Sequence, residues 1–216
     1  MKKLLIVLML GFPIHAFGQV SFAIRGGMNF SSISFRDYKP EKKLLQKVNA
    51  GTMLTIPLDD NWAILTGPYY SGKGVIFTRS IQTNKIDSFT IFLNYIDLPV
   101  NIGYWFSSEK ENGVMLLAGP YLSYGFNGRM YQRERRHLAT THLHKVETDK
   151  YKRLDVGLDI GVLYEIKTRY GVRFDYARSL LNTRRGFEQE KNIVFGFSLF
   201  WYILPQFKDR GGTPRF

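Results

Sequence analysis

Apolar and polar residues alternate along most of this chain. The clearest run is residues 154–164, where Leu154, Val156, Leu158, Ile160, Val162 and Tyr164 share one face. Asp155, Gly157, Asp159, Gly161 and Leu163 share the other. A period of two is the mark of a β-strand with unlike faces. The same rule predicts strands over residues 20–30, 48–58, 62–74, 89–106, 113–126, 171–180 and 192–203, about eight in all. Both registers of the third strand carry apolar residues, so its faces stay open.

The connections alternate in length. Loops at 36–43, 80–88, 127–152 and 182–190 are long and charged, while Asp59-Asp60-Asn61, residues 107–112 and residues 167–170 are short turns. That is an up-and-down meander with every short turn at one end. The pattern predicts an all-β, eight-stranded antiparallel up-and-down transmembrane β-barrel, with short periplasmic turns and longer external loops. Each predicted strand reaches the ~9–11 residues that a tilted crossing needs.

The faces opposite the grease carry Arg25, Asp97, Asp155, Asp159, Glu165, Arg173 and Asp175. An eight-stranded barrel has an interior just wide enough to be filled by side chains. Inside it these groups would have to pair with one another, and both signs are present. Gly103, Gly119, Gly157 and Gly161 share those faces, as a narrow lumen requires. Trp62, Tyr104, Trp105, Phe106, Tyr164, Tyr170, Trp201 and Tyr202 lie near the short-turn ends, where an interfacial aromatic belt belongs. The opposite arrangement, a secreted soluble lipocalin-like barrel with a small apolar ligand inside, would turn Val156, Leu158 and Ile160 inward.

The N-terminus bears on compartment. Residues 1–18 read as a signal peptide: Lys2 and Lys3, a short apolar stretch, then Ala16-Phe17-Gly18 with small residues before cleavage at Gln19. The expected organisation is thus residues 1–18 signal, 19–204 outer-membrane barrel and 205–216 a periplasmic tail. Cysteine is absent, which excludes a lipid-anchored cysteine, a disulfide scaffold and a thiolate metal site. The net charge of +12 fits, in an exported chain, a solvated basic loop or an anionic membrane surface rather than nucleic acid.

Several motifs hint at chemistry and then fall short of it. Residues 67–74 (GPYYSGKG) nearly match a phosphate-binding loop, but no Ser or Thr follows Lys73 and no helix is predicted after it. His137, His142 and His144 lie together in the longest loop, without the cysteines or acids a metal site would add. An outer-membrane lipid-modifying enzyme would need a nucleophile held against a His base, and no such pattern is present. The reading is therefore non-enzymatic and without cofactor or metal. The basic run containing Arg129, Arg133, Arg135 and Arg136 is the candidate contact for outer-membrane lipid, including lipopolysaccharide phosphates, or for an envelope protein partner. A monomer is expected.

Five segments carry a resemblance. They are Arg25-Gly26-Gly27-Met28-Asn29, residues 69–74 (YYSGKG), Tyr95-Ile96-Asp97-Leu98-Pro99-Val100, Gly119-Pro120-Tyr121-Leu122 and residues 155–161 (DVGLDIG). In this order and spacing the chain resembles the outer-membrane β-barrel domain family of Bacteroidota-type, Gram-negative bacteria, often labelled PorT-like. The resemblance spans essentially the whole mature chain. It implies a small barrel in the cell envelope. It assigns no particular activity.

Overall fold

The computed structural model describes residues 20–34, 41–81, 85–106, 112–133, 152–167, 169–183 and 190–204, and within these the side chains of 78–81, 85–89 and 130–133 are not described. The signal segment, the three loop histidines, Arg135, Arg136 and the tail after Leu204 lie outside the described residues.

Among the described residues ten strands form one antiparallel sheet. They are β1 (Ser21–Ser34), β2 (Lys42–Lys43), β3 (Leu45–Pro57), β4 (Trp62–Thr66), β5 (Tyr69–Ile81), β6 (Lys85–Trp105), β7 (Asn112–Arg133), β8 (Leu154–Ile166), β9 (Tyr170–Ser179) and β10 (Lys191–Leu204). The sheet closes because β1 pairs both with β3 and with β10, in register from Ser21↔Thr55 and Phe22↔Leu204 upward. Within the ring each strand pairs on both sides, so its backbone polar groups are satisfied between strands, as a hydrocarbon solvent demands. The wall is a ring of eight, since β4 and β5 together fill one place between β3 and β6. The short β2 adds to β5 beyond the ring.

The third predicted strand is therefore two. Gly67 has φ +144° and Pro68 follows, and a Cβ at Gly67 would lie 2.7 Å from the Thr52 carbonyl oxygen. Proline cannot donate to the ladder, so the strand jogs here. The Pro68 carbonyl accepts instead from Thr52 N at 3.1 Å. A second irregularity sits at Gly74, φ +145°. These two breaks explain why neither face of this segment reads cleanly in sequence.

Two expected loops are corrected. The polar segment 80–88 pairs with itself, Ser80↔Ile86 and Ile81↔Lys85, so β5 and β6 form one long hairpin. The basic segment from Asn127 continues β7 as far as Arg133, paired through Ser88↔Arg133. A bulge between Asn94 and Tyr95 absorbs the extra residue and the strand runs on.

The outer wall is apolar. Leu158, Ile160, Phe174, Leu199 and Trp201 are each more than half exposed, and Ile96, Leu98, Val100, Ile102, Leu116 and Leu122 join them. On the short-turn rim Trp62, Tyr104 and Phe106 form an edge-to-face ladder, with centroids 4.8 and 5.1 Å apart. Trp105 and Tyr202 depart from the expected belt. They are 4% and 3% exposed and point inward, because they occupy the lumen parity of their strands.

Candidate functional site: the barrel interior

The lumen is layered. Toward the short turns, Ala23, Met53, Ala63, Leu65, Trp105, Met115, Leu117, Leu163, Phe200 and Tyr202 form a buried apolar plug. Toward the long loops, Ile33, Val75, Ile91, Leu93 and Tyr95 form a second, with Phe77 against it. Between the plugs lies a belt of buried charge. Grease on the inside as well as the outside is what alternation alone does not reveal.

The belt has two centres. In the first, Arg173 is 2% exposed and its Nη2 donates to Asp159 Oδ2 at 2.6 Å, while its Nε donates to Asp175 Oδ1. Arg25 completes this centre. Its Nη2 donates to Ser198 Oγ at 2.6 Å, lies 3.6 Å from Asp175 Oδ2, and its guanidinium sits 4.0 Å from the Tyr69 ring centroid. Asn101 Nδ2 donates to Asp159 Oδ2 at 2.9 Å. Asn29 and Asn49 extend the network, Asn49 Nδ2 donating to Asn29 Oδ1 at 2.8 Å and Ser198 Oγ to Asn49 Oδ1 at 3.0 Å.

The second centre is built on Lys73, which is 1% exposed. Its Nζ lies 3.0 Å from Asp97 Oδ2 and 3.8 Å from Asp155 Oδ2, and it donates to Ser123 Oγ at 3.0 Å. The rings of Tyr95 and Tyr121 stand on either hand with centroids 4.7 Å from Nζ. Asp155 Oδ2 also accepts from Ser179 Oγ at 2.7 Å and Asn192 Nδ2 at 3.2 Å. In this confined space a charge is tolerable only when paired and hydrogen-bonded.

All seven lumen residues singled out from the sequence face inward. Arg25, Asp159, Arg173 and Asp175 are brought together. Asp97 and Asp155 meet Lys73 rather than either arginine, so an arginine partner for Asp155 is corrected to a lysine. Glu165 is 1% exposed and stands apart, against Tyr202 in the short-turn plug. Lys73 is the residue that sequence reasoning missed. Its signal was present, because Tyr69, Ser71 and Lys73 alternate, but the Gly67-Pro68 break hid which face they take.

Glycines make room for the network. A Cβ on Gly161 would lie 2.7 Å from the Phe174 carbonyl and 3.1 Å from Asp175 Oδ1, and one on Gly196 would lie 3.0 Å from Asp175 Oδ2. Gly157 faces the Tyr121 ring and Gly119 faces Asn101 in the same way. The five segments of family resemblance converge here. Each supplies at least one inward group: Arg25 and Asn29, Lys73, Tyr95 and Asp97, Tyr121, and Asp155 with Asp159.

Of the basic run, Arg129 is exposed on β7 opposite Phe92, and Arg133 belongs to the same strand. An open groove of about 770 Å³ lies on the outer wall between Trp62 and Tyr104 on one side and Phe174 and Tyr176 on the other. Among the described residues there is no cluster of three or more His, Cys, Asp or Glu able to hold a metal. No helix among the described residues is long and apolar enough to cross a membrane, which says nothing of a barrel.

A family model described as the outer membrane protein beta-barrel domain matches residues 13–185. Among solved structures, Ail, the attachment invasion locus protein of Yersinia pestis, aligns at 11% identity and TM-score 0.43, covering 85% of this chain and 99% of that one. Neisserial surface protein A aligns at 9% and 0.42, over 84% and 97%. OprG of Pseudomonas aeruginosa aligns at 12% and 0.39, over 85% and 93%. A search of curated proteins finds no match. With that family match and a closed eight-stranded wall, apolar outside and charged within, the chain belongs to the outer membrane protein beta-barrel domain family and is an integral protein of the bacterial outer membrane.

Proposed function

We propose that this protein is a sealed, non-enzymatic barrel that serves as a rigid membrane anchor for contacts made at its long-loop end. The observation that carries the reading is the stacked interior, two apolar plugs enclosing a salt-bridged belt. A solute path through eight strands would need that interior to be open. The buried carboxylates support the non-enzymatic reading too. Asp97, Asp155 and Asp159 are each 3% exposed and held by cations, so no substrate reaches them. They lack the free nucleophile and accessible base that acyl or glycosyl transfer requires.

The contact surface we assign is the basic run with Arg129, Arg133, Arg135 and Arg136, and its partner is anionic lipid headgroups or an envelope protein. Forked guanidinium donors suit phosphate oxygens. The convergence of the five motif segments on one network supports a place in the PorT-like branch of the family. Two measurements test the proposal. Purified protein in a planar bilayer should carry no steady current. Replacing the four arginines by glutamine should weaken lipopolysaccharide binding and flatten its salt dependence. A stable open conductance, or binding unchanged by both the substitutions and salt, would overturn it.

A further inference from the structure

Charge is sorted by face in this barrel. Among residues with described side chains, the carboxylates of the ring strands, Asp97, Asp155, Asp159, Glu165 and Asp175, all point into the lumen. Among residues with described side chains, the charged ones at outward positions of those strands, Arg129, Arg178 and Lys191, are basic and lie toward the long-loop end, and half-buried Lys47, on the inward parity of β3, reaches the outward Phe92. No described carboxylate pairs with Lys47 or Arg129. A lone cation on a lipid-facing strand is costly near the bilayer midplane and tolerated near the interface.

Two of these cations lie beside one aromatic residue. Lys47 Nζ lies 4.1 Å from the Phe92 ring centroid, and Arg129 stands directly opposite Phe92 in the β6–β7 ladder. Two register positions below, Asn94 faces Asn127, and Asn94 Oδ1 accepts from Tyr70 OH at 2.7 Å. Polar donors and aromatic faces are thus placed together at the upper edge of the apolar wall, with two positive charges and, among the described residues, no counterion.

We infer that the outer wall around Lys47, Phe92 and Arg129 binds the phosphate of a phosphorylated glycolipid in the outer leaflet. A phosphomonoester carries up to two negative charges on three strong acceptor oxygens, which matches two cations better than the single charge of a phosphodiester. The site faces the leaflet beside the long loops, and the apolar wall below it receives acyl chains. The inference rests on the outer-membrane placement and on the lipid contact proposed above, whose Arg129 it shares, and it moves the phosphate from the loop to the wall.

The test uses the full-length protein in detergent micelles, with native mass spectrometry and titration of bisphosphorylated lipid A as the probe. The double variant Lys47→Gln/Arg129→Gln should weaken lipid A binding by about tenfold or more for each cation lost. Enzymatically dephosphorylated lipid A should bind the unaltered protein comparably weakly. Arg169→Gln, at the opposite rim, should bind as the unaltered protein does. Heat-modifiable mobility confirms that each variant is folded. A double variant with undiminished binding overturns the site. Phosphatidylglycerol binding as tightly as lipid A overturns the glycolipid assignment. A loop variant Arg133→Gln/Arg135→Gln/Arg136→Gln that loses all binding, with Lys47 and Arg129 intact, places the phosphate in the loop and also overturns it.

Discussion

Arg173→Met is the most incisive perturbation of the interior. Methionine keeps much of the side chain's length and removes its charge and donors. Among the described residues Asp159 then keeps the Asn101 amide at 2.9 Å, and Asp175 keeps Arg25 at 3.6 Å. Breaking one partner of a buried pair costs about 3–5 kcal/mol, because the remaining charge is left uncompensated. Asp175 retains some solvent contact and a second cation, so the lower end applies, about 3 kcal/mol, or roughly a hundredfold in the folded-to-unfolded ratio. Asp159→Asn should cost less, since Arg173 still has Asp175. The double variant should cost less than the sum of the two, with a coupling of about 1–3 kcal/mol. The assay is urea unfolding of the refolded barrel in phospholipid vesicles, followed by tryptophan fluorescence, with Trp105 reporting from inside the lumen. Arg169→Ala on the rim is the control and should leave the midpoint unmoved. Additive effects, or an Arg173→Met midpoint equal to that of the unaltered protein, would refute the claim that the belt is a buried, mutually dependent network.

Other expectations follow from the same geometry. Lys73→Met strands Asp97 and Asp155 together and should destabilise the barrel by about 3–5 kcal/mol in the same unfolding assay. Gly161→Ala should cost about 1–3 kcal/mol, because its methyl would lie 2.7 Å from the Phe174 carbonyl and 3.1 Å from Asp175 Oδ1. Gly26→Ala, with nothing within 4 Å of its Cβ, should be tolerated, and the pair is read by comparing urea midpoints. Ile160→Arg, on the lipid face, should cost about 2–4 kcal/mol if it lies near the midplane, and should lower the folded yield in vesicles.

Much of this fold is legible in the alternation itself. The run from Leu154 to Tyr164 assigns its inward and outward faces unaided, and Asp155, Asp159, Arg173 and Asp175 follow from it. Period two fixes which face a residue takes, but not what it meets across the lumen. That is why Asp155 finds Lys73 rather than an arginine: the partner depends on strand stagger, which only closure of the ring sets. Lys73 itself was masked by a break at Gly67-Pro68. Trp105 and Tyr202 read as belt aromatics because they sit at strand ends, yet one residue of register turns a belt residue into a plug. The length of β7 is hidden because residues 127–133 are polar and charged and read as loop, while a bulge between Asn94 and Tyr95 lets the strand run on. The upper-wall cations Lys47 and Arg129 lie far apart in sequence, and only the β3–β5–β6–β7 order brings them beside the same aromatic residue.

The central claim is that this wall turns its apolar face to lipid and its charged face inward. The absence of cysteine allows a direct measurement: single cysteines placed in turn along residues 154–166, spin-labelled in phospholipid vesicles, and read for collision with oxygen and with a water-soluble nickel chelate. The account predicts a period-two oscillation. Labels at Leu158, Ile160 and Val162 should meet oxygen and not nickel, and a label at Leu163 should meet neither. Nickel accessibility at Leu158, Ile160 and Val162, or a scan without alternation, would contradict it.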